Sequence, residues 1–263
     1  MKNCKLIVTD LDGTLLRNDK SISKFTLETL KACRNQGILI GFATARPIRG
    51  VAQIREVFEP DILITHNGAV FTHGEHQVSM GISGKQVRIF LEKILSDFPY
   101  AEIGVESDDV FWANYDVTKN WLGETYMQLT SMLDGLDIKC ADKILVCLKT
   151  VDPHTLRLYL PDDCYLEIAD DVMGMIMRKQ ATKFNGIVSI CNALGISPSE
   201  VVSFGDDNND ISMIQGCAVG VAVNNANLKV KNAADVVCES NENDGVAKWI
   251  QGAILGETKN IDI

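Results

Sequence analysis

The sequence predicts an α/β protein in which both ends of the chain build one parallel-sheet unit and the middle forms an inserted α+β unit. Three observations predict it. Short β-branched runs alternate with helical stretches at both ends, the middle shows strand-like runs facing each other across Asp-Asp steps, and carboxylates fall just past predicted strands. With 263 residues, 46% of them apolar and 23% charged, the chain can bury a sizeable core and does not belong to the disordered class.

Leu6 to Thr9 reads as the first strand, inside "LIVTDLDGTLL". Ser23 to Gln36 carries Phe25, Leu27, Leu30 and Cys33 at helical spacing and stops at Gly37. "ILIGFATAR" is a second strand, Pro47 opens a second helix, and "DILITHNGA" is a third strand. In the middle, "IGVESDDVFWAN" turns at Asp108-Asp109 and "YLEIADDVMGMIMR" at Asp170-Asp171, both expected to be antiparallel hairpins. Helices are expected at Gly84 to Asp97, Trp121 to Leu133 and Pro153 to Leu160. After Thr182 the alternation resumes: a helix through Leu194, the strand "VVSFGD", a helix after Asn209, the strand "CAVGVAV" and a last strand near "ADVVCE". The expected division is 1–78 with 183–263 for the parallel-sheet unit and 79–182 for the insert.

Charge and composition narrow the function. The formal net charge of −10 argues against nucleic acid, which selects clustered Lys and Arg. Eight cysteines without a C-x-x-C pair, most of them in apolar runs, predict reduced thiols in a cytoplasmic protein. "MKNCKLIV" lacks the apolar core of a signal peptide, and no apolar run reaches the ~18–20 residues that span a bilayer, so no membrane partner is expected. Nothing in the sequence points to an oligomeric state.

Asp10, Asp12, Thr44 and Asp206 each follow a predicted strand, and in open parallel sheets ligands bind beyond those ends. Asp10, Asp12, Asp206 and Asp210 carry −4 if all are ionised, a charge that needs a cation nearby. Mg²⁺ takes hard oxygen ligands, and Lys183 adds a further positive charge. A carboxylate can attack phosphorus and form an aspartyl-phosphate, while a threonine hydroxyl, backbone N–H groups and a lysine hold the phosphoryl oxygens. Plainer readings exist for each motif alone: "DLDGT" as a helix cap and turn, "GDDNND" as a solvated turn, Lys183 as a surface lysine. An EF-hand fails, because positions six and twelve from Asp10 are Leu15 and Ser21 and not Gly and Glu.

Taken in order, "DLDGTLL" at Asp10, "ATAR" at Thr44, "NGA" at Asn67, "TKFNGI" at Lys183, "GDDNND" at Asp206 and "DGVA" at Asp244 resemble the haloacid dehalogenase-like hydrolases, and within them the Cof-type phosphatases. The resemblance implies a Rossmann-like core with a mobile cap, Mg²⁺ as cofactor and a small phosphorylated metabolite, a sugar phosphate first, as substrate. It implies Asp10 as nucleophile and metal ligand, and Asp12 as general acid and base with its backbone carbonyl on the metal. Asp206 becomes the remaining protein ligand, with Asp210 as its support. Leu11 N–H, Thr44, Ala45 N–H, Lys183 and Asn209 become the phosphate contacts. Two other outcomes share the motifs: a phosphotransferase or phosphosugar mutase using the same intermediate, and a regulatory module without catalysis. Arg46 is weighed between holding substrate and opening a helix. His66 is expected to be structural, and Phe111, Trp112, Tyr115 and Trp121 to be core of the insert.

Overall fold

A computed structural model describes residues 3–74, 76–119, 126–129, 138–169 and 171–256. The chain divides into two compact units, Met1–Gln77 with Thr182–Ile263, and Val78–Ala181.

The first unit is built on a sheet whose strand order is Val236–Val237, Val219–Ala222, Val201–Gly205, Leu6–Thr9, Leu39–Ala43, Ile62–Thr65 and Val70–His73, with the strand that starts at His76 at its edge. The pairs from Val236–Val237 through Ile62–Thr65 are parallel, and Leu6–Thr9 lies at the centre between Val201–Gly205 and Leu39–Ala43. Central parallel strands are covered on both faces, which is why LIVT and VVSFG are buried at every position. Val70–His73 pairs antiparallel with Ile62–Thr65, an addition the sequence reading did not contain. It follows directly after a tight turn at His66–Gly68, so the chain folds back on the strand it has just left.

The helices begin where their caps predict. Ser23 accepts the Thr26 N–H at the start of Lys24–Asn35, and Thr182 accepts the Asn185 N–H at the start of Lys183–Leu194. Gly195, at φ 65°, ends the latter helix in the left-handed conformation that glycine tolerates. Pro47 does not open a helix as expected. A short 3₁₀ turn at Arg49–Val51 comes first, and the α-helix runs Ala52–Val57.

The second unit carries a six-stranded sheet ordered Cys164–Ala169, Met173–Arg178, Lys143–Cys147, Ile103–Ser107, Val110–Ala113 and Met127–Gln128. Val87, Phe90, Leu91 and Ile94 of the Gly84–Asp97 helix pack with Ile103, Val105, Ile144, Val146 and Ile176 of the sheet. Asp108 and Asp109 sit at φ 52° and 59°, the pair of left-handed residues that a two-residue hairpin turn requires. The second hairpin pairs Ala169 with Met173, so its loop has three residues; Asp170 lies outside the described residues. The helix expected from Trp121 to Leu133 lies mostly outside them too, and its described part is not helical. Met127–Gln128 is instead a parallel strand on Trp112–Ala113, anchored by Leu129 N–H donating to Ala113 O at 2.6 Å. Edge pairing satisfies those backbone groups at once, whereas an isolated turn of helix leaves them open.

Phe111 and Tyr115 are buried in this unit, and Trp112 packs against its core, as expected of core aromatics. All eight cysteines are free thiols. Among the described residues, no helix is long and apolar enough to cross a membrane.

Candidate active site

The central strand Leu6–Thr9 ends at Asp10, whose N–H donates to Phe204 O on the neighbouring strand at 3.0 Å. Val201–Gly205 ends at Asp206, so two carboxylates emerge side by side from paired strands. Gly13 has φ 79°, and a Cβ there would lie 2.5 Å from Asp206 Oδ2. Only glycine lets the loop after Asp10 pass so close to the second acid. Thr14 then donates its hydroxyl to Asp206 Oδ1 at 2.6 Å.

Lys183 begins its helix, where the helix dipole disfavours a cation. Two carboxylates offset that: Nζ donates to Asp10 Oδ1 at 2.6 Å and to Asp210 Oδ1 at 2.5 Å, with Lys183 only 1% exposed. The surface-lysine reading is therefore wrong for this residue. The other oxygen of Asp210 accepts the backbone N–H groups of Asp206 and Asp207 at 2.9 and 3.1 Å. Both oxygens of Asp210 are thus engaged, and its carboxylate fixes the Gly205–Asp210 loop to the lysine. Carboxylate oxygens of Asp10, Asp206 and Asp210 all lie within 4.8 Å of one another.

These environments shift the acids in different directions. Burial pushes Asp10 up to about 8, with Lys183 opposing and Asp210 adding to the rise. Burial also raises Asp206 to about 6, opposed by the Thr14 hydrogen bond and assisted by Asp210. Burial would lower Lys183, but Asp10 and Asp210 outweigh it and hold the ammonium above its ordinary value.

Asp12 is different. Burial tends to raise it, yet Arg46 and Lys20 take it below the usual carboxylate range. Arg46 grips it with a fork, Nε to Oδ2 and Nη2 to Oδ1, both at 2.6 Å, and Lys20 Nζ donates to Oδ1 at 2.7 Å. Arg46 thus touches an acid of the site, an option not among the two weighed for it.

Thr44, just past Leu39–Ala43, is buried; its N–H donates to Ile64 O at 2.8 Å and its hydroxyl accepts the Arg46 N–H at 3.1 Å. Leu11 is fully buried and Ala45 half-buried. Asn209 donates Nδ2–H to Asn67 Oδ1 at 2.9 Å, which ties the "GDDNND" and "NGA" segments together. His66 and Asn67 are buried with left-handed backbones, and the turn they form rests under the Lys183 helix. Sequence reasoning missed Thr14, Lys20 and Asn67 as contributors. Thr14 could have been found from its place in "DLDGT", and Asn67 from its place in "NGA"; Lys20 gives no such signal.

Comparison with known proteins accords with this arrangement. A 5-amino-6-(5-phospho-D-ribitylamino)uracil phosphatase of Bacillus subtilis, YitU, is 27% identical over 94% of this chain and 96% of its own length. A phosphoglycolate phosphatase of Methanopyrus kandleri is 24% identical over 94% of this chain and 95% of its own. Among solved structures, the subclass IIB sugar phosphatase BT4131 superposes with a TM-score of 0.78 at 26% identity, covering 94% of this chain and 98% of that one. TM0651 from Thermotoga maritima shares the fold with a TM-score of 0.83 at 21% identity, over 95% of this chain and 97% of its own. The family model for haloacid dehalogenase-like hydrolases matches residues 7–250, so the chain belongs to that family of hydrolases and, with its relatives, to the phosphatases among them.

Proposed function

We propose that this phosphatase is Mg²⁺-dependent and hydrolyses a small phosphorylated metabolite, a sugar phosphate first, through an aspartyl-phosphate on Asp10. The carrying observation is the convergence of Asp10, Asp206 and Asp210 within 4.8 Å, braced by the buried ammonium of Lys183.

The donor set suits the ion. Hard carboxylate oxygens and a backbone carbonyl are what Mg²⁺ takes, so Asp10, Asp206 and the Asp12 carbonyl are its assigned ligands. Asp210 is their support, since its oxygens already accept Lys183 and two N–H groups. When bound, the ion neutralises charge on the phosphoryl oxygens and favours the ionised forms of Asp10 and Asp206.

The chain's own residues then carry the steps. An Asp10 carboxylate oxygen attacks phosphorus and the bond to the leaving oxygen breaks; Asp12 passes to that oxygen a proton that enters with the substrate's phosphate monoanion, since Arg46 and Lys20 keep the resting carboxylate ionised. Water next attacks the phosphoryl group; Asp12 takes its proton and Asp10 is released as carboxylate. Lys183, Thr44, Asn209 and the N–H groups of Leu11 and Ala45 are assigned to the phosphoryl oxygens. Substrate selection is assigned to the inserted unit. Relatives named for a ribityl phosphate, phosphoglycolate and sugar phosphates share only a phosphomonoester on a small polar carrier, which supports that class.

The test is phosphate release from a panel of phosphometabolites, with Mg²⁺ and with a chelator. Turnover of sugar phosphates that stops on chelation is the expected result. Equal release without a divalent ion, or transfer to a sugar hydroxyl without phosphate release, would displace the reading.

A further inference from the structure

Lys20 is an unusual residue to find where it stands. Its backbone has φ 66°, a left-handed conformation that costs any residue with a Cβ and that glycine adopts freely. The segment is nonetheless held in place. Arg17 N–H donates to Ser21 O at 3.0 Å and Lys20 N–H to Arg17 O at 2.9 Å. Ser21 is fixed by Asp19, through N–H and hydroxyl at 2.9 and 2.6 Å, and Arg17 pairs with Asp244 at 2.8 Å. The Asn18 N–H donates to Glu242 at 2.5 Å.

This anchored turn delivers the Lys20 ammonium to Asp12 Oδ1 at 2.7 Å. An exposed ion pair contributes little to stability, and Lys20 is 58% exposed, so the contact does not explain the strained backbone as a stabilising device. The pair does fix the carboxylate. Among the described residues, Oδ1 takes two donors, Arg46 Nη2 and Lys20 Nζ, while Oδ2 takes Arg46 Nε alone. With its plane set by the fork and Oδ1 saturated, Asp12 presents Oδ2 as the oxygen with accepting capacity to spare.

We propose that Lys20 is a positioning residue that orients the Asp12 carboxylate to take the proton of the water that cleaves the phosphoenzyme. The inference rests on the proposed function, and it concerns its second half. There the water oxygen bonds to phosphorus and the phosphorus–oxygen bond to Asp10 breaks, its electron pair returning to the Asp10 carboxylate. The water proton passes to Asp12 Oδ2. With a leaving group that needs no acid, loss of Lys20 should therefore slow turnover without slowing formation of the phosphoenzyme.

The test uses para-nitrophenyl phosphate with Mg²⁺, whose phenolate departs without help from an acid, and compares wild type, Lys20→Gly, Lys20→Arg and Asp12→Ala. Lys20→Gly removes the ammonium and also relieves the left-handed strain, so its thermal stability should match or exceed the wild type. Its kcat should fall by about tenfold with kcat/KM within about twofold, and a burst of about one nitrophenolate per chain should precede the slow phase. Lys20→Arg should recover most of the kcat. A rise in KM alone, an equal fall in kcat and kcat/KM, or unchanged kinetics would overturn the proposal. Wild-type turnover lost in Asp12→Ala but kept in Lys20→Gly removes this inference alone; a wild type with no turnover removes the proposed function with it.

Discussion

The ammonium of Lys183 is buried with Asp10 at 2.6 Å and Asp210 at 2.5 Å, and it is the counter-charge the two carboxylates share there. Replacing Lys183 by Met leaves two buried carboxylates with no counter-charge. Such a change should lower stability by about 3–5 kcal/mol. Urea unfolding of the variant should show the loss, and addition of Mg²⁺ should recover part of it. A second residue-scale prediction comes from the insert. Burial pushes Asp142 up to about 7 from an ordinary 3.8, opposed by the Ser79 hydroxyl at 3.0 Å and assisted by Glu106 and Asp108. A carboxyl whose folded value is raised stabilises the fold in acid, and that contribution disappears as pH rises from about 4 to about 7. Wild type should therefore lose up to about 4 kcal/mol relative to Asp142→Asn across that window. Parallel melting curves for both proteins across the window would contradict the assignment. At this scale Asp10, Asp206 and Lys183 were legible because charged residues at the ends of apolar runs have few structural uses. The contact of Lys20 was not, because it depends on a left-handed lysine that no propensity favours.

The elements that matter most are the connections after the strands. The His66–Gly68 turn passes so close to the start of the Lys183–Leu194 helix that a Cβ on Gly68 would lie 2.1 Å from Thr182 O, at a φ of 103°. Thr182 caps that helix, so displacing it also displaces Lys183. Gly68→Ala should cost on the order of 2–3 kcal/mol through strain and clash together. It should reduce turnover as well, through that displacement of Lys183. Calorimetry together with a rate measurement checks both effects; a variant of wild-type stability would show that the turn can shift freely. Element identity was read correctly where periodicity and caps agreed, as in Lys24–Asn35 and Gly84–Asp97, with Ser23 and Ser83 as caps. It failed where neighbours decide. Val70–His73 is too short to announce itself, and Met127–Gln128 is a strand because an edge beside it was open.

Across the whole molecule, residues from both ends of the chain meet because the central strands Leu6–Thr9 and Val201–Gly205 are neighbours. Strand–helix alternation predicts one parallel sheet made from both ends, and the sheet agrees with it; the adjacency of these two strands comes from the structure. The charge balance was less readable. Counting Lys183 alone against Asp10, Asp12, Asp206 and Asp210 leaves a large deficit, whereas Arg46 and Lys20 bring it to −1. A bound Mg²⁺ then brings the site to a net charge of about +1, which balances half of a phosphate dianion. Ion binding to the folded state alone should stabilise it by about 2.7 kcal/mol at a hundredfold excess over Kd. A Mg²⁺-dependent rise in Tm for wild type that is absent in Asp206→Asn is the expected result; the same rise in both would move the ion elsewhere. The most direct test of the central claim is the Mg²⁺-dependent turnover of Asp10→Asn beside wild type. Phosphate release should fall by at least about a thousandfold with Tm unchanged or higher, since the amide removes a buried charge without changing the shape. Substantial phosphate release by the folded variant would contradict it.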